Sequence, residues 1–435
     1  MPLRRLLTSL RGGPLGSRNF RLLAGSITVS MYGNGIAIVA QPFAIFAVGG
    51  TVAEVGFAAA AATVPLVLFL LVGGVVGDRF PRHLVLASAN VVQGTCQLVS
   101  GVLVVSGVGG PWLLIALVAV RGCAFAFVLP AEQGLVPQTV RPDHLSAANA
   151  VQRLGINAAR IVGASSGGVL VGTVGAGWAL VVDAATFGLA ALARAGMRFP
   201  APAPVARTHP LHELREGWRE FRSRQWLWVI VVQSALVIAV HSGGINVLGP
   251  LVARESLGGA GPWGLIMASS AVGAFAGAVL MLRWRPRRPL LVAALSVFFD
   301  PLLLLGLAVP LPVPYLAAAM FLSGASQGVF GVTWSTTMQQ EIPPGLLSRV
   351  AAYDSLGSFA LAPVGAALAG PIALTAGTDV TLVGGYVLVA AVTAAAQAVA
   401  TGTAPATAPA SAARVGILRR VAVTGRFDAA RARRP

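Results

Sequence analysis

The chain has 435 residues, of which 56% are hydrophobic and only 10% charged, with a mean hydropathy of +0.79. A water-soluble domain carries about a quarter charged residues, so this composition excludes water as the main solvent and indicates a multi-pass membrane protein. The net charge of +17 comes from 31 basic residues that are all Arg; they lie in clusters between apolar runs, not on one aromatic-laced patch as a nucleic-acid surface would favour.

Crossing a bilayer takes roughly 20 apolar residues per helix, and the sequence predicts twelve such spans. The first six lie near 22–47, 55–77, 84–107, 111–130, 146–172 and 176–196; the second six lie near 226–251, 259–282, 289–309, 313–338, 346–372 and 378–400. The chain thus divides into an N-terminal segment (1–20), a six-helix bundle (21–197), a linker (198–225), a second six-helix bundle (226–400) and a basic tail (401–435). The N-terminal segment lacks the pattern of a cleavable signal peptide. The charged second half of the linker reads as an amphipathic helix on the membrane surface, and the Ala/Pro/Arg-rich tail as disordered chain. Cys96 and Cys123 fall inside apolar runs and read as small hydrophobes, not as a disulfide.

The Arg clusters set orientation. With the N-terminus cytoplasmic, nearly every loop Arg faces the cytoplasm; Arg254 alone faces the other way, while Arg121, Arg153 and Arg160 lie within spans. Positive residues in short loops favour the cytoplasmic side, so both termini are expected there.

The two halves are related. VPQTVRPDHLSAANAVQRLG (136–155) aligns with MQQEIPPGLLSRVAAYDSLG (338–357) at a constant offset, which also pairs Gly163 with Gly365 and Gly168 with Gly370. A six-helix unit repeated in parallel orientation is the architecture of two-half carriers.

Several stretches then carry a family likeness: NFRLL (19–23), the loop Gly74-x-x-x-Asp78-Arg79-x-x-Arg82-His83, Gly122 through Pro130-Ala131, GASSGG (163–168) and VVDAATFGLAAL (181–192). In this order the chain resembles the major facilitator superfamily, specifically its bacterial branch of multidrug, macrolide and enterobactin exporters. The resemblance implies an all-α fold of twelve transmembrane helices in two pseudo-symmetric bundles. It implies a substrate cavity lined by spans one, four, seven and ten, and a proton gradient as energy source with no bound cofactor. It also implies that Asp78 holds the cytoplasmic end of span eleven, with Gly74 permitting close approach and Arg349 adding charge at a helix N-terminus. Pro81 replaces the usual Gly of that loop. Arg79 and Arg82 are expected to reach cytoplasmic acids such as Glu132 or Asp143, and they fix orientation.

Ionisable groups inside a membrane are functional candidates by default. The expected cavity residues are Asn34, Gln41, Arg121, Gln233, His241 and Trp334, with Gln339. Arg121 offers the cavity a cation or joins an ion pair; His241 is a proton carrier or a satisfied core histidine. Coupling candidates are Asp354, Asp300, Asp183 and Arg160, with a structural role favoured for Asp183. Because the cavity spans carry no carboxylate, the expected cargo is neutral or anionic and amphipathic.

The function expected is proton-coupled efflux from a monomer in the bacterial cytoplasmic membrane, with uptake by the same fold as the alternative. A non-transporting sensor is a remoter reading. No Lys exists to build an ATP-binding P-loop, and neither a metal-ligand motif nor a nucleophile motif appears, so no enzyme, metal site or nucleic-acid partner is expected.

Overall fold

The computed structural model describes residues 14–141, 144–197, 199, 210–283, 292, 297–299, 301–309, 311–343 and 346–403; within its helices the side chains of 70–79 and 347–349, among a few others, lie outside the described set. All the described regular structure is helical.

The first six spans are α1 (Arg18–Ala47), α2 (Val52–Arg79), α3 (Arg82–Ser106), α4 (Pro111–Thr139), α5 (Leu145–Val174) and α6 (Ala176–Ala195). After the linker helix α7 (Pro210–Ser223), span seven is built from α8 (Gln225–Gly243), one π-helical turn (Gly244–Leu248) and α9 (Gly249–Ser256). Span eight is α10 (Ala260–Arg283), span ten α12 (Val313–Glu341), span eleven α13 (Leu347–Phe359) with α14 (Ala362–Ala376), and span twelve α15 (Thr378–Thr403). Eleven of these segments are long and apolar enough to cross a membrane. The expected ninth span falls largely outside the described residues, which show there a 3-10 turn (Val297–Phe299) and α11 (Leu302–Ala308). The 401–435 tail lies outside them from residue 404 on.

Local sequence explains the element ends. Ser17 caps α1, its hydroxyl accepting from the Phe20 N–H at 3.3 Å. Glu54 closes the start of α2 by accepting from the Thr51 N–H at 2.7 Å. Gly175 and Gly377, at equivalent positions of the repeat, turn the chain from span five to six and from eleven to twelve with φ of 91° and 95°, a conformation that disfavours any residue with a Cβ. Large apolar side chains such as Leu68, Leu192, Leu374 and Trp112 stay well exposed around the outside, as a lipid-facing surface requires.

The repeat recurs in the packing. A Cβ at Gly163 would overlap the Tyr32 carbonyl of span one, and a Cβ at Gly365 would overlap the Ala239 carbonyl of span seven. Likewise Gly168 lies against the backbone of Ala260 and Gly264 in span eight, and Gly370 against Val52 and Ala53 in span two. Spans five and eight, and eleven and two, are therefore the seams between the halves.

Those seams close only one end of the molecule. With span direction alternating, the start of α1, the end of α15, the α2–α3 turn and α7 share one end, here called the termini end. At the opposite, far end a single apolar core is shared by both halves: Val39, Ile45, Val52 and Val55 pack with Ile245, Leu248, Trp263 and Ala366. Toward the termini end the core splits in two. One part, around Leu23, Ile27, Leu86 and Leu135, belongs to the first six spans; the other, around Trp226, Leu227, Trp334 and Met338, belongs to the last six. The halves meet at the far end and part toward the termini.

Candidate functional site

Between the halves, above the shared core, lies a cavity of about 600 Å³. Helical periodicity builds its walls. Asn34, Ile38 and Gln41 follow one face of α1, Val118, Arg121 and Phe125 one face of α4, and Asn157, Arg160 and Ala164 one face of α5. Span seven contributes His241, Ser242 and Asn246, which bracket the start of its π turn; such turns widen a helix locally and recur at functional sites. Met267, Ser270 and Ala274 of α10 and Met320 and Gln327 of α12 complete the opposite wall. Pro42, inside α1, has no N–H to give the Ile38 carbonyl, so the cavity floor carries a backbone acceptor relieved of its usual donor.

Five sequence candidates line this cavity: Asn34, Gln41, Arg121, Arg160 and His241. Two expected there lie elsewhere. Gln233 is buried against span twelve, its amide donating to the Thr393 hydroxyl at 3.3 Å. Trp334 sits in the termini-end core of the second half, edge-on to Trp226 at 5.6 Å and stacked on Phe330 at 6.0 Å. Its indole N–H donates to Asp354 at 3.1 Å, which joins span ten to span eleven. Both corrections have one cause: a helix in a bundle touches several neighbours, and membership of a cavity span does not fix which face a residue takes.

Arg121 both lines the cavity and faces an acid. Its Nη1 stands 3.9 Å from Asp183 Oδ2 on α6, and Asp183 is fully buried. Asp183 also accepts from the Gln97 amide, and Thr186 one turn on donates its hydroxyl to the Asp183 carbonyl at 2.7 Å. Gly33 of α1 makes room for this acid, since a Cβ there would overlap both Asp183 Oδ1 and Thr186 Oγ1. The carboxylate of an outer span thus backs the cavity Arg from behind.

Arg160 differs. It is exposed into the cavity, and no described acid lies within ion-pair distance of it. Gln41 is unusual in another way: both polar atoms of its amide are hidden from water without a hydrogen-bond partner.

Sequence reasoning missed one cluster. Arg194, counted among the orientation charges, is 1% exposed. Its Nε donates to Ser26 at 3.1 Å, its Nη1 to Asn90 at 3.0 Å, and its Nη2 stands 4.0 Å from Glu132. Glu132 in turn accepts from Gln152 at 3.0 Å. Five spans are tied together here, and Arg194 engages Glu132, one of the two acids named for Arg79 and Arg82; the other, Asp143, lies outside the described residues. The one available signal was position: Arg194 falls in the last turn of α6, not beyond it.

In the α2–α3 turn, Arg82 is half-buried in the first turn of α3, and His83 lies against the Phe199 ring at 5.3 Å. Gly74, Asp78, Arg79 and Arg349 fall on side chains outside the described set, as does Gln339; Asp300 and Asp143 lie outside the described residues altogether. The described contact between spans two and eleven runs through α14, while α13 packs on α7 and α8.

A family model for transmembrane secretion effectors matches residues 11–417. Among curated relatives, the multidrug efflux pump Tap of Mycobacterium tuberculosis is 28% identical over 367 residues, covering 80% of this chain and 85% of its own length. The enterobactin exporter EntS of Escherichia coli is 26% identical over 359 residues, with 81% and 84% covered. Among solved structures, the nucleoside transporter NupG superposes with a TM-score of 0.71 at 12% identity, over 87% of this chain and 98% of that one. A bacterial homologue of the lysosomal transporter Spinster, in an inward-facing and unoccupied conformation, gives 0.63 at 16% identity, over 86% and 95%. These two likenesses concern the fold.

Proposed function

The chain belongs to the transmembrane secretion effector family of the major facilitator superfamily, and from that premise we propose that it exports small amphipathic organic molecules by alternating access. The carrying observation is a largely apolar cavity with a few polar and charged side chains at mid-depth, sealed by one shared core at the far end and flanked by two separate cores at the other. Rocking the halves about the cavity exchanges which end is closed. Efflux of drugs or siderophore-like compounds is the direction favoured by the relatives, Tap and EntS.

The proposal places the protein, as a monomer, in the bacterial cytoplasmic membrane with both termini inside, as the Arg distribution favours. The termini end then faces the cytoplasm, and the cavity is open for loading. The energy source is a proton gradient, with no bound cofactor. The acid best placed to carry the proton is Asp354. It lies on the termini half of span eleven, a segment that must move when the halves rock, and is held to span ten through Trp334. Protonation would weaken that hydrogen bond by removing the charge that strengthens it. Asp183, engaged by Arg121 and Gln97, serves as a fixed structural partner.

Everted membrane vesicles carrying the full chain test this directly. Drug accumulation that follows an imposed pH gradient and vanishes on its collapse is expected. Asp354→Asn should keep downhill exchange and lose uphill accumulation; accumulation indifferent to the gradient would remove the proton from the scheme.

A further inference from the structure

We infer that the cargo is an organic anion, and that Arg160 is the group that holds its acid function. This rests on the export reading above and names the substrate class of the same cavity.

Charge is unevenly distributed within the cavity. Among the described lining residues there is no Asp or Glu. Two guanidiniums are present, and they are not equivalent. Arg121 is backed by the buried Asp183 carboxylate 3.9 Å away, so that pair presents little net charge. Arg160 has no such acid among the described residues and is exposed into the cavity. A guanidinium stays charged in any protein environment. While the termini end is open, water solvates it. When that end closes and water is expelled, an unpaired cation at mid-membrane becomes costly, and an anionic cargo supplies the missing partner. A cationic cargo would instead enter beside a free positive charge with no carboxylate to meet it.

Neighbouring groups fit the same chemistry. Asn157 lies one turn before Arg160 on the same face of α5 and also lines the cavity, within reach of a second oxygen of an acid held there. On the neighbouring helix α1, which packs directly against α5, the Gln41 amide at the cavity's edge is hidden from water and unpartnered; a buried amide in that condition is costly unless something binds it. Arg153, two turns from Arg160 on the same face toward the termini end, is exposed as well, and extends the positive lane toward the opening. Ile38, Phe125, Met267 and Met320 offer an adaptable apolar surface for the body of the molecule. A volume of about 600 Å³ suits one drug-sized ligand.

Two dyes on one xanthene scaffold read the charge preference: fluorescein, an anion at neutral pH, and rhodamine 123, a cation. Binding of each to the purified full chain is followed by fluorescence anisotropy, and transport of each in everted vesicles. Fluorescein should bind and move in preference to rhodamine 123. Arg160→Gln should weaken fluorescein binding about ten- to hundredfold, as loss of a charge-assisted hydrogen bond does, and leave rhodamine 123 equal or better. Arg160→Lys should recover part of the loss, which separates lost charge from misfolding. Preference for rhodamine 123, or fluorescein affinity unchanged in Arg160→Gln, would overturn the anion assignment while leaving export intact. Strong fluorescein binding without transport under any gradient would sustain the site and overturn the export reading.

Discussion

The two ends of the molecule hold together by different means. At the far end the halves share one core, and their backbones touch where Gly56, Gly168 and Gly370 remove the side chains that would keep them apart. At the termini end each half has its own core and its own polar lock: Arg194 with Glu132 and Gln152 in the first, Trp334 with Asp354 in the second. Smooth contact between small residues is easily broken and remade, because nothing interlocks. Buried polar locks keep each half rigid while it moves. A carrier needs both properties, and here they are segregated by depth.

The sharpest way to break this contrast is to spoil the smooth end. A Cβ at Gly56 would overlap the Ala366 carbonyl, so Gly56→Leu should prevent far-end closure and abolish accumulation. Overpacking of this kind costs about 1–3 kcal/mol, against which the open arrangement becomes competitive. A cysteine placed at Val55, buried in the shared core, should then become reactive toward an impermeant maleimide added at the far side; unchanged labelling with full transport would refute the seal. Next in size is the first lock. Arg194→Ala strands Glu132, and breaking a buried charged pair costs about 3–5 kcal/mol; a lower melting temperature in detergent is the readout. Glu132→Gln, which keeps a hydrogen-bonding side chain opposite Arg194, should lose less.

The second lock is a single hydrogen bond to a charged acceptor. Trp334→Phe should therefore cost about 1.5–3 kcal/mol and leave the first half's local stability, followed by hydrogen exchange, untouched.

Much of this fold was legible in the sequence because it follows from hydropathy, which needs no knowledge of neighbours. The constant repeat offset even anticipated matched packing roles: Gly163 and Gly365 each press on a helix of their own half, and Gly168 and Gly370 each lie at a seam between the halves. Pairings across helices were much less legible. Arg121 and Asp183 lie far apart in sequence, and nothing in either span states that both reach the same depth on facing sides. Gln233 and Trp334 sat on the right spans and the wrong faces, because an apolar span offers little amphipathic signal to say which side meets water. Arg194 was read as a loop charge because hydropathy blurs the last turn of a helix.

Arg160 has an electrical consequence. An empty cavity carries its positive charge through the rocking motion, whereas a cavity holding a monovalent anion is neutral. The membrane potential therefore acts on the return stroke and not on the loaded one, with at most about 2.3 kcal/mol per 100 mV if the charge crossed the whole field. In a cell negative inside, that pull holds the vacant carrier facing the cytoplasm, where the next cargo molecule waits.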